Sequence, residues 1–267
     1  MSDLSEETSQ LFKASGHRSR IEILKILVED PKTAKEIAEQ MGYAETYVHK
    51  HLHRLTEEDL IRKENKYFTL STCGKIFVNS LDGIEVVGKY KEVWGEHDIG
   101  GVPQEILRDI RSLRGTDLIS SAPNVLVKFN NMALNAKKKI LFAANQIPMM
   151  EEIINKGIFD KRVDITLLIS LIEPDLLNDY SNNDDYSNLD ILTTNMDNIY
   201  MGVLVIDDGE AGVIFQDKRG SLDWDYAILG RESKFISWAE KNFWNMCENS
   251  KDISETRMTD NCISPHI

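Results

Sequence analysis

The chain has 267 residues, 42% of them hydrophobic and 28% charged, which is ordinary globular usage and long enough for two modest hydrophobic cores. A formal net charge of -13 argues against a molecule that holds nucleic acid or an anionic membrane over its whole surface. The charge is uneven: residues 1–80 carry 12 basic and 13 acidic residues, residues 81–267 carry 19 and 31, so any nucleic-acid contact is expected in the first third.

Cys73, Cys247 and Cys262 are odd in number and far apart, which speaks against a disulfide framework or a zinc ribbon and fits a reducing compartment. The start, MSDLSEETSQ, is polar and acidic, and no apolar run approaches the length of a membrane span. A soluble, cytoplasmic protein without membrane partners is expected.

In chain order, the apolar stripe of SRIEILKILVED predicts a helix over about 18–29, ending before Pro31. TAKEIAEQMG follows. Thr33 and Glu36 have capping-box spacing, Ile37 and Met41 share a face, and Gly42 can terminate the helix in the left-handed conformation. Val48, Leu52 and Leu55 recur at i, i+4, i+7, so Glu45 to Asp59 is predicted as a second helix with one side in a core. That assigns Thr46, Tyr47, Lys50, His51 and Arg54 to the outward face. LIRKENKYFTLS reads as two strands, Leu60 to Lys63 and Lys66 to Leu70, around a Glu64-Asn65 tip.

This order of helix, helix, turn, helix and wing, carried by SRIEILKILVEDPKTAKEIAEQMGYAETYVHKHLHRLTEEDLIRKENKYFTLSTCGK, resembles the winged-helix domain of ArsR-like prokaryotic transcriptional regulators over about residues 10–80. The resemblance implies sequence-specific binding of double-stranded DNA, usually as a dimer. Thr46, Tyr47, Lys50, His51 and Arg54 are then the expected major-groove contacts, with Lys63 and Lys66 of the wing on phosphate.

The run His49-Lys50-His51-Leu52-His53-Arg54 raises other readings. His49 and His53, four apart, could chelate a divalent cation, but Lys50 stands where the zincin pattern needs a glutamate. Helix packing, solvent exposure and phosphate or base contact remain open for both, and no metal site is assigned. For Lys50 and Arg54 the competing reading is a solvated charged face.

Beyond residue 80 the apolar positions Ile84, Val87 and Val93 suggest a connecting helix, broken near Gly95, Gly100, Gly101 and Pro103. Residues 104–114 and 123–137 read as helical. Short apolar runs at 137–145, 163–170, 189–194, 200–207 and 210–216 read as strands, with Asp208-Gly209 as a hairpin turn. ESKFISWAEKNFWNMCENS closes with Phe235, Trp238, Ala239 and Phe243 on one helix face. The fold class is α/β overall: an α+β winged helix-turn-helix over 1–80, connecting helices over 81–118, an α/β domain with a mixed sheet over 119–249, and a disordered tail over 250–267.

The stretch YMGVLVIDDGEAGVIFQDKRGSLDWDYAILGRESKFISWAEKNFWNMCE resembles archaeal regulators that join an ArsR-like winged helix to a phospholipase-D-like domain, over about residues 120–250. A ligand-sensing or dimer-forming module is what this implies. Catalysis by that family uses a histidine followed two residues later by a lysine, and no histidine lies between His97 and His266, so the domain is expected to be catalytically inactive. No G-x-G-x-x-G, P-loop, G-x-S-x-G or CxxC motif occurs, and no cofactor is expected. NDYSNNDDYSNLD, 178–190, lacks the EF-hand register and reads as a polar loop. Trp224 and Tyr226 could line a ligand pocket, with core or interface packing the competing reading.

The combined reading is a DNA-binding transcriptional regulator, dimeric, with a domain that responds to a small-molecule effector or holds the dimer. Two rivals remain: a winged-helix protein-docking module without DNA binding, and an enzyme with an unrecognised carboxylate site in the α/β domain.

Overall fold

The computed structural model describes residues 2–145, 163–170, 188–248 and 250–252. The chain divides into two compact units, Met1–Ile84 and Glu85–Ile267.

The first unit orders α1 (Ser2–Ser15), α2 (Arg18–Glu29), β1 (Lys32–Thr33), α3 (Ala34–Met41), α4 (Glu45–Glu57), β2 (Ile61–Glu64), β3 (Tyr67–Leu70) and the start of α5 (Thr72–Lys89). Its core gathers Ile23, Leu24 and Leu27 of α2, Ile37 of α3, Val48, Leu52 and Leu55 of α4, and Phe68 and Leu70 of β3. The helical members of this core recur at helical spacing, so burying one stripe per helix accounts for their packing. β2 and β3 form the wing hairpin, and β1 adds to β3 as a third antiparallel strand. The tip is one residue later than expected: Glu64 pairs with Tyr67, so the loop is Asn65-Lys66, with Asn65 at φ 57 as such two-residue turns require. Gly74 is obligatory for a different reason. A Cβ there would lie 1.9 Å from the Leu60 carbonyl oxygen, so α5 can approach the start of the wing only without a side chain at this position.

The second unit contains α6 (Lys91–Glu96), β4 (His97–Asp98), α7 (Gln104–Arg108), a 3-10 turn (Ile110–Leu113), β5 (Asp117–Ser120), α8 (Ala122–Leu134), β6 (Lys139–Ala144), β7 (Asp164–Ser170), β8 (Leu189–Thr194), β9 (Met201–Ile206), β10 (Glu210–Asp217), β11 (Tyr226–Gly230), α9 (Ser233–Cys247) and β12 (Lys251–Asp252). The sheet runs β12-β8-β7-β6-β9-β10-β11-β5, with β4 on β10. β6, β7 and β8 are parallel and the remaining pairs antiparallel, so the sheet is mixed. Alternate residues of the central strands enter two separate cores. Leu141, Val203, Val205 and Val213 face Phe235, Trp238 and Phe243 of α9, while Phe142, Leu204 and Ile214 face Val125, Phe129 and Met132 of α8. Burial on both faces explains why MGVLVI reads as a continuous apolar run rather than an alternating one.

The five expected strands and the turn before Glu210 are present. The expected helix over 104–114 is instead α7 followed by the 3-10 turn. α1, β5 and β11 were not expected. The segment taken for connecting helices belongs to the second core, since Val86, Tyr90, Val93, Val102, Ile106 and Leu113 are all buried in it. Lys251 and Asp252, expected in a tail, pair with Thr193 and Leu192 of β8. Residues 253–267, and 178–187 of the expected polar loop, lie outside the described residues.

Candidate nucleic-acid interface

The geometry of α3 and α4 starts from two local devices. The Thr33 hydroxyl accepts the Glu36 N–H at 3.3 Å, and the Glu36 carboxylate accepts the Thr33 N–H at 2.7 Å, which closes the capping box and holds the Glu36 carboxyl below its ordinary range. At the other end Gly42 takes φ 71 and turns the chain toward α4. Val48, Leu52 and Leu55 are fully buried, which fixes the rotation of α4 and leaves Thr46, Tyr47 and Lys50 in solvent.

His51 does not share that outward face. It is 5% exposed, and both ring nitrogens are buried without a hydrogen-bond partner among the described residues. Its ring lies 4.6 Å from that of His17, the N-cap residue of α2, and 4.6 Å edge-on from that of Tyr47. Residue 51 is three on from Val48 and four before Leu55, so it stands on the flank of the buried stripe, and the N-terminus of α2 covers it. Burial, and then the charges of His17, Arg20 and Lys50, lower its pKa from the ordinary value.

Arg54 is half-buried and engaged with carboxylates of its own helix, Glu57 Oε2 at 3.2 Å and Glu58 Oε1 at 3.0 Å. The flanking histidines are exposed and paired in opposite directions along α4: His49 Nε2 lies 3.4 Å from Glu45, and His53 Nδ1 lies 3.5 Å from Glu57. Among the described residues, no group of three His, Cys, Asp or Glu side chains is placed to share a metal ion. On the wing, the Lys63 ammonium sits 5.5 Å from the Phe68 ring centre and the Lys66 ammonium 5.4 Å from that of Tyr67, both residues exposed.

Tyr43 escaped the sequence reading because it lies in the turn, outside any periodic pattern. Its N–H bonds to Ala38 O at 3.0 Å, and its ring stands 5.0 Å from that of Tyr47.

In the second unit, Trp224 and Tyr226 are not brought together around one pocket. Trp224 packs on Phe129 in the α8-side core, whereas Tyr226 packs in the α9-side core, edge-on to His97. His97 is buried, its Nδ1 2.7 Å from Val93 O and its Nε2 3.0 Å from Asp223 Oδ2. Asp207 has a structural role: burial raises its pKa, but the N–H groups of Lys139, Lys138 and Lys137 outweigh that and hold it low. Burial pushes the Cys247 thiol up to about 12, which makes it a poor nucleophile.

No curated protein matches the sequence. Among solved structures, the chain is similar to TrmBL2, an archaeal chromatin protein, at 14% identity and a TM-score of 0.41, over 88% of this chain and 94% of that one. It is similar to HlyU from Vibrio cholerae at 25% identity and a TM-score of 0.29, over 32% of this chain and 97% of that one. A phospholipase D family member, Nuc from Salmonella typhimurium, aligns at 12% identity and a TM-score of 0.36, over 52% of this chain and 97% of its own. Residues 16–64, from the turn before α2 to the end of β2, match the family model of a helix-turn-helix domain.

Proposed function

We propose that the chain is a sequence-specific DNA-binding transcriptional regulator of ArsR-like type, acting as a homodimer. The observation that carries this reading is the rotation of α4. Its apolar stripe is locked into the core while Thr46, Tyr47 and Lys50, on its first two turns, face solvent as the second helix of a helix-turn-helix. In that motif these are the positions that reach base edges in the major groove. Lys63 and Lys66 meet phosphate on the wing side and contribute affinity without reading sequence. Arg54 joins them only by exchanging its two carboxylate partners for phosphate.

The second unit, on this reading, is a phospholipase-D-like domain without catalysis, which senses a small molecule or holds the dimer. Phosphate contacts by these cations release counterions, so binding is salt-dependent, each contact adding about 0.9 to the logarithmic slope.

The test is selection of duplexes from a random pool by the full-length protein at two salt concentrations. An enriched palindrome, bound more weakly by Lys50→Ala by about fivefold or more, is the expected result. Absence of enrichment at low salt removes the reading and leaves the helix-turn-helix as a protein-docking module.

A further inference from the structure

The first turn of α4 and the turn before it carry something a solvated helix end has no use for: two neighbouring exposed tyrosines. Tyr43 is 46% exposed and Tyr47 36%, and their rings stand 5.0 Å apart. Tyr47 is not free to reorient. Its Oη lies 3.1 Å from the hydroxyl of Ser19, which is 3% exposed, and the edge of the buried His51 ring supports it from behind. The phenolic end is thus pinned to the protein interior, so ring carbons are what this residue offers outward. Apolar surface held rigid on an otherwise polar face costs little entropy on binding, which is what a contact residue needs.

We infer that Tyr43 and Tyr47 form an apolar reader for the 5-methyl group of thymine in the major groove. The inference rests on the proposed DNA reading of α4 and names what part of the base that helix recognises. Thymine is the base that presents a methyl group in the major groove, and it is read there by apolar contact rather than hydrogen bonding. The surroundings suit a duplex: Lys50 lies one turn along the same face from Tyr47, and Glu45, between the two tyrosines in sequence, is directed to His49. A protein partner would be expected to seek the same rings, but Thr46 and Lys50, exposed beside them at positions where the second helix of a helix-turn-helix meets base edges, favour DNA.

The test starts from the duplex selected by the full-length protein. Each thymine is replaced in turn by uracil, which removes the methyl group and changes nothing else on the base edge. At one or two positions per half-site the wild-type Kd should rise about fourfold, the worth of one methyl group taken out of water. Tyr47→Phe should keep this discrimination, because the hydroxyl faces Ser19 and not the base. Tyr47→Ala and Tyr43→Ala should bind the thymine and uracil duplexes equally. Tyr43, in the exposed turn, supplies the decisive variant if Tyr47→Ala does not fold. A selected duplex indifferent to every methyl group, or a Tyr43→Ala protein that still discriminates, overturns the proposal while leaving DNA binding in place. No selected duplex at all removes both and assigns the aromatic pair to a protein partner.

Discussion

The two units bury their apolar residues in different ways, and the difference decides where function is visible. In the headpiece each helix submits one stripe to the core, so the opposite stripe is left to solvent and its chemistry can be read directly: Lys50, Tyr47 and Thr46 on α4. In the α/β unit the central strands are buried on both faces, by α8 on one side and α9 on the other. Residues in those strands specify the sheet and present nothing. Charge follows the same division, near balance before residue 80 and strongly acidic after it. A one-sided element advertises its ligand-facing surface; a two-sided one hides it.

The largest effects come from breaking one core at a time. Phe243 of α9 and Leu52 of α4 are both fully buried, in different cores. Phe243→Ala should cost about 3–5 kcal/mol and Leu52→Ala about 2–5 kcal/mol. Followed by calorimetry on the full chain, each should lower one of two unfolding transitions and spare the other. A single transition displaced by either variant would mean that the two cores fold as one cooperative body, and the contrast between them would lose its energetic basis.

Within the headpiece, the comparison sharpens to two cations on one helix. Lys50 is exposed at a position proposed to read bases, and Arg54 is engaged with Glu57 and Glu58. Lys50→Ala should therefore weaken duplex binding by about 1–3 kcal/mol, the range for a good base contact. Arg54→Ala should cost less than half of that, because its arginine first gives up two carboxylates. Fluorescence anisotropy titrations at two salt concentrations would check the order, and an equal loss would show that the Arg54 ion pairs dissolve on binding. Smaller again is the capping box. Thr33→Ala should destabilise the headpiece by about 1 kcal/mol in urea titrations, with little change in affinity at pH 7.

The legibility of each part has a physical cause. The three helices around the turn and the wing announced themselves through 3.6-residue spacing, the Thr33–Glu36 pair and Gly42, each a local signal. The five central strands announced themselves as apolar runs. α1 was missed because, among the described residues, its apolar side chains in the core are Leu11 and Ala14, too few for a period. β5 and β11 were missed because they are short and are fixed by pairing with each other and with β10, a non-local constraint. At the candidate site, Thr46, Tyr47 and Lys50 came from the wheel alone. His51 sits at the border of the two stripes, where spacing is mute and only the arrival of His17 from α2 decides. Tyr43 needed the turn geometry.

That border residue gives the smallest effect and the one most specific to the headpiece. The folded His51 pKa is depressed below the ordinary value of 6.5, by burial and by three neighbours of positive charge. The unfolded chain therefore takes up a proton first as the solution is acidified. The stabilisation tied to a neutral His51 is complete above pH 6.5, declines as the pH falls from there toward the depressed folded value, and stays lost below it. Glu36, whose carboxyl is held low through Thr33, contributes in a separate window: its share is present above its unfolded value of 4.5 and is lost as the pH falls through its folded one. His51→Phe keeps a ring between His17 and Tyr47 and removes the titration. In urea titrations of the headpiece transition, the wild-type midpoint should fall relative to that of His51→Phe below pH 6.5, while both proteins share the later loss from Glu36. Parallel curves throughout would mean that the His51 ring keeps its ordinary proton affinity, and that it stands in contact with water as the outward residues of α4 do.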